Sequence, residues 1–293
     1  MMRNYYKVAG HCFCVEAEKR ILDKMNDYRP FLVDESWSPS SLFTITVRIG
    51  GDPQYVYTKD TFIEEDTLVV TNGHTADGSD VYFYQWNHQD LFWLFCENSH
   101  RDNTLIMTGL SPRMSLDFAI TIAYRYNTIK LMTNVIHAST VCYQGKAYLF
   151  LGISGTGKST HSRLWINHFD GTELINDDKP IIRIFDNGEV RVYGSPWSGK
   201  TPCYRNVVYP MGGMVKLAQA PYNKIRKLRT IESYYVLLQS VNGKRWDKTI
   251  SDALHHFEER LVSLVPMWHL DCLPDEEAAI LCKDTITKTA EQQ

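Results

Sequence analysis

At residues 152–160 the chain reads Gly152-Ile153-Ser154-Gly155-Thr156-Gly157-Lys158-Ser159-Thr160, which completes the pattern G-x-x-x-x-G-K-S/T directly after an apolar run. Glycines let the backbone turn tightly enough for its N–H groups to converge on phosphate oxygens, and a following helix adds its positive N-terminal end. In such a loop we expect Lys158 to reach the β- and γ-phosphates and the hydroxyl of Ser159 to hold Mg²⁺. The stretch therefore predicts a phosphate-binding loop.

The flanking sequence supplies the strand and the helix that such a loop needs. Residues 147–151 form a short apolar run suited to a buried strand. Residues 157–169 are compatible with a helix that directs Leu164, Trp165 and Phe169 inward. The residues expected to bind nucleotide are Gly152, Ser154, Gly155, Thr156, Gly157, Lys158, Ser159 and Thr160.

A pair of acids follows that helix closely. Residues 173–178 predict a short strand ending in Asp177 and Asp178. Beside a phosphate loop, one acid can hold Mg²⁺ while the other accepts a proton from an attacking hydroxyl. The alternative is an Asp-Asp turn ahead of Lys179-Pro180, because Asp and Pro are common turn residues. The nearby loop makes us favour the functional interpretation.

The loop, together with residues 174–178, resembles the superfamily containing HPr kinase/phosphorylase and phosphoenolpyruvate carboxykinase. The resemblance covers roughly residues 130–240. It includes His137, which we predict on a strand at 135–141, one hairpin upstream of the loop, where HPr kinases carry a functional histidine. The resemblance implies a mixed-sheet α/β fold with ATP and Mg²⁺ as cofactors. It also implies that Asp178 is the proton acceptor or metal-side acid and that Asp177 supports it.

The resemblance assigns catalysis to Asp178, Asp177, Lys158 and His137, and metal binding to Ser159, Asp178 and Asp177. A strand histidine is, alternatively, often a hydrogen-bonded core residue. HPr kinases also supply a metal-binding Glu after the acids and an Arg in a Pro/Gly signature, and neither has a clear counterpart here. Instead, residues 194–201 read Gly-Ser-Pro-Trp-Ser-Gly-Lys-Thr. In this segment Lys200 can contact phosphate or substrate and Trp197 can wall the site, or the segment is an ordinary turn with a solvated lysine.

Composition narrows the class of protein. The 293 residues are 44% hydrophobic, enough for one large or two modest domains, and the formal net charge of −3 does not favour binding to nucleic acid or to anionic membranes. No apolar stretch approaches the roughly 20 residues of a membrane span, and the first residues lack a signal-peptide core, so we expect a cytoplasmic protein. Seven scattered cysteines indicate reduced thiols. Cys12 and Cys14 are expected to pack in the core, although a metal pair is the alternative.

The two parts of the chain differ in pattern. Residues 1–128 predict a β-rich domain, and residues 129–293 predict a nucleotide-binding domain with C-terminal helices. Predicted strands of the first part lie at 6–15, 42–49, 67–71, 81–86, 91–96 and 103–108, with turns at 50–52, 72–73 and 77–78 and a helix at 115–131. The second part predicts a hairpin at 181–185 and 190–193, strands at 212–217 and 267–270, and helices at 230–241, 247–265 and 275–282.

These features predict an ATP-dependent, or other nucleoside-triphosphate-dependent, phosphotransferase of the HPr-kinase-like type. Its acceptor would be a hydroxyl, either a serine of a protein or peptide or a small molecule. A non-catalytic nucleotide sensor is the alternative, and a carboxykinase-like enzyme, which would need a cage for a dicarboxylate, is third. Homo-oligomerisation stays open, because members of the family assemble.

Overall fold

The computed structural model of the chain describes residues 1–50, 53, 56–65 and 67–290. The chain divides into two compact units, Met1–Thr128 and Ile129–Gln293. Each unit contains a sheet that mixes parallel and antiparallel strands, so the predicted mixed α/β class is confirmed. Within the described ranges, no helix is long and apolar enough to cross a membrane.

The first unit is built on one sheet, with strand order β3-β1-β2-β4-β9-β8-β7-β6-β5. The strands are β1 Met2–Val8, β2 His11–Ala17, β3 Leu32–Val33, β4 Ser41–Ile49, β5 Tyr57–Glu65, β6 Leu68–Thr75, β7 Asp80–Trp86, β8 Gln89–Glu97 and β9 Asp102–Met107. The helices are α1 Lys19–Leu22 and α2 Pro112–Thr128, with 3₁₀ turns at Asn26–Phe31 and Glu35–Ser40. Helix α2 buries Leu116, Ile120 and Tyr124 and packs against β4, β8 and β9.

Of four sequence predictions for this unit, two are wrong, one is confirmed and one falls partly outside the described residues. The strand predicted at 6–15 is wrong as a single element, because Ala9 and Gly10 adopt φ values of 48° and 85° and turn the chain into the β1–β2 hairpin. The turn predicted at 72–73 is also wrong. Gly73 lies inside β6, where an added Cβ would come within 2.2 Å of the Thr58 carbonyl oxygen, so close strand packing accounts for this glycine. The turn at 77–78 is confirmed, whereas residues 51 and 52 of the third predicted turn lie outside the described residues.

The second unit carries the predicted loop. Its strands are β10 Thr133–Val135, β11 Ala138–Tyr143, β12 Lys146–Leu151, β13 Glu173–Asp178, β14 Ile181–Ile184, β15 Val190–Tyr193, β16 Val208–Gln219, β17 Lys224–Lys227 and β18 Met267–Cys272. Its helices are α3 Lys158–His168, α4 Thr230–Ser240, α5 Lys248–Leu264 and α6 Glu276–Ala290, with a 3₁₀ turn at Ile129–Leu131. Strands β12, β16 and β18 run parallel, and β11 pairs antiparallel with both β12 and β13.

The core of this unit lies between its sheet and helices α3 and α6. Trp165, Trp268 and Tyr148 are its largest members and are at most 2% exposed. The predicted inward side chains Leu164 and Phe169 pack against this cluster. The hairpin and helices predicted from the sequence are present, although α6 extends to Ala290 and β17 was not predicted.

One row of paired residues crosses the second sheet and positions the candidate site. Successive Cα partners along it, one on each of β13, β11, β12, β16, β18 and β17, are Asp178, Ala138, Leu151, Lys216, His269 and Arg226. Strands β12 and β13 end at this row on the same edge of the sheet. The glycine-containing loop that follows Leu151 is therefore two strands away from the paired acids.

Candidate functional site

The glycine-rich loop, defined here as residues 152–157, joins β12 to α3. Gly152, Gly155 and Gly157 have φ values of 153°, 81° and 102°, which side-chain-bearing residues rarely adopt. At Gly152 an added Cβ would also lie 2.9 Å from Oγ1 of Thr156. These positions therefore need glycine, and α3 begins directly after Gly157, which leaves its first amides facing the loop.

Lys158 folds back over the loop. Its Nζ donates to the carbonyl oxygens of Gly152 at 2.9 Å and Ile153 at 3.2 Å. Burial lowers the pKa of this ammonium, while the negative charges of Asp178 and Asp177 oppose the shift. The ammonium group of Lys158 thus lies close to the loop and within electrostatic range of the paired acids. A polyphosphate bound at the loop would interact with this positive charge.

The other predicted loop residues are close to solvent. Ser154, Gly155 and Thr160 are exposed, whereas Thr156 is half-buried and its hydroxyl donates to the carbonyl of Ile153. The hydroxyl of Ser159, on the first turn of α3, makes no hydrogen bond to any residue that the structure describes. It is available for a ligand.

Asp177 and Asp178 form the end of β13, as predicted. Asp177 is only 4% exposed, and its Oδ2 has no hydrogen-bond partner within the described part of the chain. A buried acceptor left unpaired is costly, so this atom is a good position for a cation or a donor from a ligand.

Asp178 differs from its neighbour because its carboxylate is paired. Its Oδ1 lies 3.0 Å from Nδ1 of His137, and its Oδ2 lies 3.9 Å from Nζ of Lys179. Burial acts to raise the pKa of Asp178, but the hydrogen bond from His137 and the positive charges of Lys179, His137 and Lys158 outweigh it, so the pKa falls below its ordinary value. Asp178 is therefore ionised at neutral pH and can accept a proton or bind a cation.

His137 lies at a break between two strands rather than on one, so the strand predicted at 135–141 is wrong. Ile136 continues the register of β10 by donating its N–H to the carbonyl of Pro180, whereas His137 donates its own to the carbonyl of Ser240 and belongs to neither β10 nor β11. The break directs the imidazole to Asp178. The side chain is 38% exposed, so the alternative of a buried core histidine is also wrong.

The segment at 194–201 packs its backbone against the acids. Gly199 donates its N–H to the carbonyl of Asp177 at 2.8 Å, and Ser198 forms a bridge with Asp178. Trp197 is 1% exposed, and its role as a wall of the site stays a prediction. Lys200 is exposed and makes no hydrogen bond or ion pair with a described residue, and its contact with phosphate stays a prediction.

Sequence reasoning missed the network that holds this segment in place. The fully buried amide of Asn176 donates to the carbonyl of Trp197 at 2.8 Å and to the hydroxyl of Ser195 at 3.2 Å. Its Oδ1 accepts the N–H of Lys179 at 2.7 Å, and Ser195 donates to the carbonyl of Lys179 at 2.6 Å. In the sequence, the only indication of this network is the Asn directly before the paired acids. The spacing between Asn176 and Ser195 forms no recognisable pattern.

A cleft of about 510 Å³ opens beside the loop. Its walls come from the loop, the end of β16 and helix α4, and they include Ile153, Lys216, Gln219, Val236 and Gln239. Gln219 donates its Nε2 to the carbonyl of Gly155 at 3.1 Å, which ties β16 to the loop. The sequence did not predict this cleft, because its walls are separated by about 60 to 90 positions in the chain.

The site fits a magnesium ion that arrives together with phosphates. Across the described residues, no group of three or more His, Cys, Asp or Glu side chains could hold a metal. However, Mg²⁺ is commonly bound through one or two carboxylates together with substrate phosphates and waters. The unpaired Oδ2 of Asp177, the ionised Asp178 and the hydroxyl of Ser159 provide such a partial set.

No protein-family model matches this sequence, and no curated protein matches it.

Proposed function

We propose that the protein is a nucleoside-triphosphate-dependent phosphotransferase that transfers the γ-phosphoryl group to a hydroxyl acceptor. The observation that carries the proposal is the proximity of three parts: a glycine-rich loop at a helix N-terminus, a lysine folded over it, and a paired, ionised carboxylate two strands away. The mixed sheet, with the loop after β12 and the acids at the end of β13, supports an HPr-kinase-like arrangement of the second unit.

Each part has a distinct task in this proposal. The loop amides and Lys158 bind the phosphates and neutralise charge as the bond between the γ-phosphorus and the bridging oxygen breaks. Ser159 and Asp177 would hold Mg²⁺, which supplies charge neutralisation to the phosphate oxygens when bound.

Asp178 takes the proton of the acceptor hydroxyl while that oxygen bonds to phosphorus. His137 fixes the orientation of the carboxylate, and its partly exposed ring can pass the proton on to solvent. The acceptor is a serine of a protein or peptide, or a small hydroxyl compound.

The alternative of a nucleotide sensor would use the same loop and Lys158. It would have no use for a carboxylate that is kept ionised beside a partly exposed histidine, so the Asp178–His137 pair favours the enzyme. A carboxykinase-like reaction is the third candidate and depends on a cage for a dicarboxylate.

Calorimetric titration with ATP and Mg²⁺, combined with measurement of slow ATP hydrolysis, tests the proposal. Lys158→Ala should weaken ATP binding by about tenfold or more, because it removes a charge-assisted contact. Asp178→Asn should keep binding but reduce hydrolysis by about 10²- to 10⁴-fold, as expected for loss of a general base.

Asp252→Asn is the matched control, because this acid lies exposed on α5 and pairs with Lys248 on the same helix. It should change neither quantity. Tight binding without hydrolysis by the wild type would favour the sensor, and absence of nucleoside-triphosphate binding would overturn the proposal.

A further inference from the structure

The cleft beside the glycine-rich loop has the character of a pocket for an organic group as well as for phosphate. Its volume of about 510 Å³ lies within the range of small-molecule sites, roughly 300–1,000 Å³. Val236 and Ala218 form apolar parts of its wall, and Ile153 is 76% exposed at the loop, an unusual position for a large aliphatic side chain. The amides of Gln219 and Gln239 add hydrogen-bonding groups.

Lys216 is an unpaired cation in this cleft. Beyond β12, the row of paired residues carries Lys216, His269 and Arg226. Arg226 pairs with Glu232 at 3.0 Å, and His269 contacts Asp271 at 2.9 Å. Lys216 is half-buried and has no hydrogen bond or ion pair with any residue in the described ranges, so its charge is available to an anion.

The position of Lys216 along the row separates it from the acids. Strands β16 and β13 are three strand spacings apart, with β12 and β11 between them. At about 4.8 Å for each spacing, Lys216 and Asp178 are about 14 Å apart along the sheet. One phosphoryl group cannot reach both side chains, so Lys216 and Asp178 would contact different parts of the bound substrates.

We infer that this cleft binds the nucleoside of the triphosphate donor, with Lys216 at the phosphate nearest the sugar. The inference rests on the proposed function, which places the reacting γ-phosphate and the acceptor hydroxyl at Asp178. The donor then lies along the row, from Asp178 past the loop and Lys158 to Lys216. The base packs against Ile153 and Val236.

Gln239 is the residue that we assign to recognition of the base edge. It lies exposed on α4, lines the cleft and makes no hydrogen bond to another described residue. A carboxamide offers both a donor and an acceptor, which matches the paired groups on the edge of a purine. Gln219 is less suited to this role, because its amide nitrogen already holds the carbonyl of Gly155.

The test compares a nucleotide with inorganic tripolyphosphate, both in the presence of Mg²⁺, in calorimetric titrations of the full-length chain. The nucleotide is ATP or GTP, whichever the wild type binds more tightly. Ala218→Phe fills the cleft and should raise the Kd for the nucleotide by about tenfold or more, which corresponds to about 1.4 kcal/mol. It should leave the Kd for tripolyphosphate within about twofold, because the loop is untouched.

Gln239→Ala is a second variant, because an exposed side chain without partners can be removed without unfolding the protein. It should weaken nucleotide binding several-fold and leave tripolyphosphate binding unchanged. Lys216→Met should weaken nucleotide binding by about tenfold. Lys224→Met is its control, since Lys224 is an exposed lysine of the same sheet outside the cleft.

The outcomes separate this inference from the proposed function. Equal weakening of both ligands by Ala218→Phe, or no effect of Ala218→Phe and Gln239→Ala on the nucleotide, would overturn the nucleoside assignment. If Lys158→Ala still weakened both ligands, the phosphate-binding role of the loop would stand. If the wild type bound neither ligand, the proposed function and this inference would both fall.

Discussion

Asp178 shows how a single side chain can be buried and still remain charged. Burial alone would favour the neutral acid, because a carboxylate loses hydration in the protein interior. Here the hydrogen bond from His137 and the nearby positive charges of Lys179 and Lys158 reverse that preference. The imidazole therefore stabilises the ionised form of the carboxylate.

This arrangement predicts a pKa change in His137→Ala. Burial raises the pKa of Asp178, and the imidazole of His137 counteracts that effect. Without the imidazole the pKa of Asp178 should therefore rise, which ¹³C NMR titration of the aspartate carboxyl groups can measure. His168→Ala is the matched control, because its ring lies 3.2 Å from Glu276 on another surface, and it should leave Asp178 unchanged. An unaltered Asp178 titration in His137→Ala would contradict the assigned contact.

The same contact affects stability in a defined direction. Because the native pKa of Asp178 is lowered, the ionised carboxylate adds stability that is complete above its unfolded-state pKa of about 3.9. The contribution disappears as the pH falls through the lower native pKa. In His137→Ala the native pKa rises, so this contribution should be smaller and should be lost at higher pH, as seen in urea denaturation at several pH values.

At the scale of elements, strand β13 and the segment at 194–201 act as one assembly. Asn176 and Ser195 satisfy backbone groups of both, and the backbone of Gly199 contacts that of Asp177. An added Cβ at Gly199 would lie 2.6 Å from the carbonyl oxygen of Asp177, so this close approach requires glycine. The acids are thus positioned by buried hydrogen bonds rather than by the ladder of the sheet alone.

Replacing Asn176 tests that assembly. In Asn176→Leu the N–H of Lys179 loses the amide oxygen that accepts its hydrogen bond, whereas the carbonyl of Trp197 loses one donor and keeps the hydroxyl of Ser195 at 3.0 Å. Loss of a buried hydrogen-bond partner costs about 1–3 kcal/mol. We expect the free energy of unfolding to fall by about 1–3 kcal/mol in urea denaturation. Asn187→Ala, in the exposed turn between β14 and β15, should change it by about 0.5 kcal/mol or less. Equal effects of the two substitutions would show that the network contributes little.

Local patterns in the sequence predicted much of the site at this scale. The apolar run of β12, the glycines and the paired acids each carry a short-range signal, and the structure has the corresponding elements. The neighbours of His137 predict a strand through this residue, but its N–H bonds to the carbonyl of Ser240 and the residue lies between β10 and β11. Lys216 and Gln239 gave no signal, since a cleft depends on strand order and helix placement that no local pattern specifies.

At the scale of the whole molecule, the cysteines are distributed through both units and none is bonded to another. All seven are free thiols, of which Cys272 is half-buried and the others are buried. Cys12 and Cys14 share one face of β2 and pack with Tyr5, which supports the core-packing interpretation over the metal pair. These thiols act as small apolar side chains in two separate cores.

Their burial makes a prediction for the intact chain that a thiol titration can check. Burial raises the pKa of Cys14 and of Cys272 to about 11, and that of Cys282 well above its ordinary value. At pH 8 a thiol with such a pKa is ionised at a level on the order of one in a thousand, and the thiolate is the reactive form. Ellman's reagent should therefore react slowly with the native protein.

In guanidinium chloride without reductant, the same protein should titrate seven thiols, because unfolding exposes all of them in reduced form. Cys272→Ser is the informative variant, since Cys272 is the most accessible thiol and its removal should abolish most of the residual native reaction. A titration of five or fewer thiols after unfolding would reveal a disulfide. That result would contradict the structure, in which all seven cysteines are reduced and pack as separate thiols.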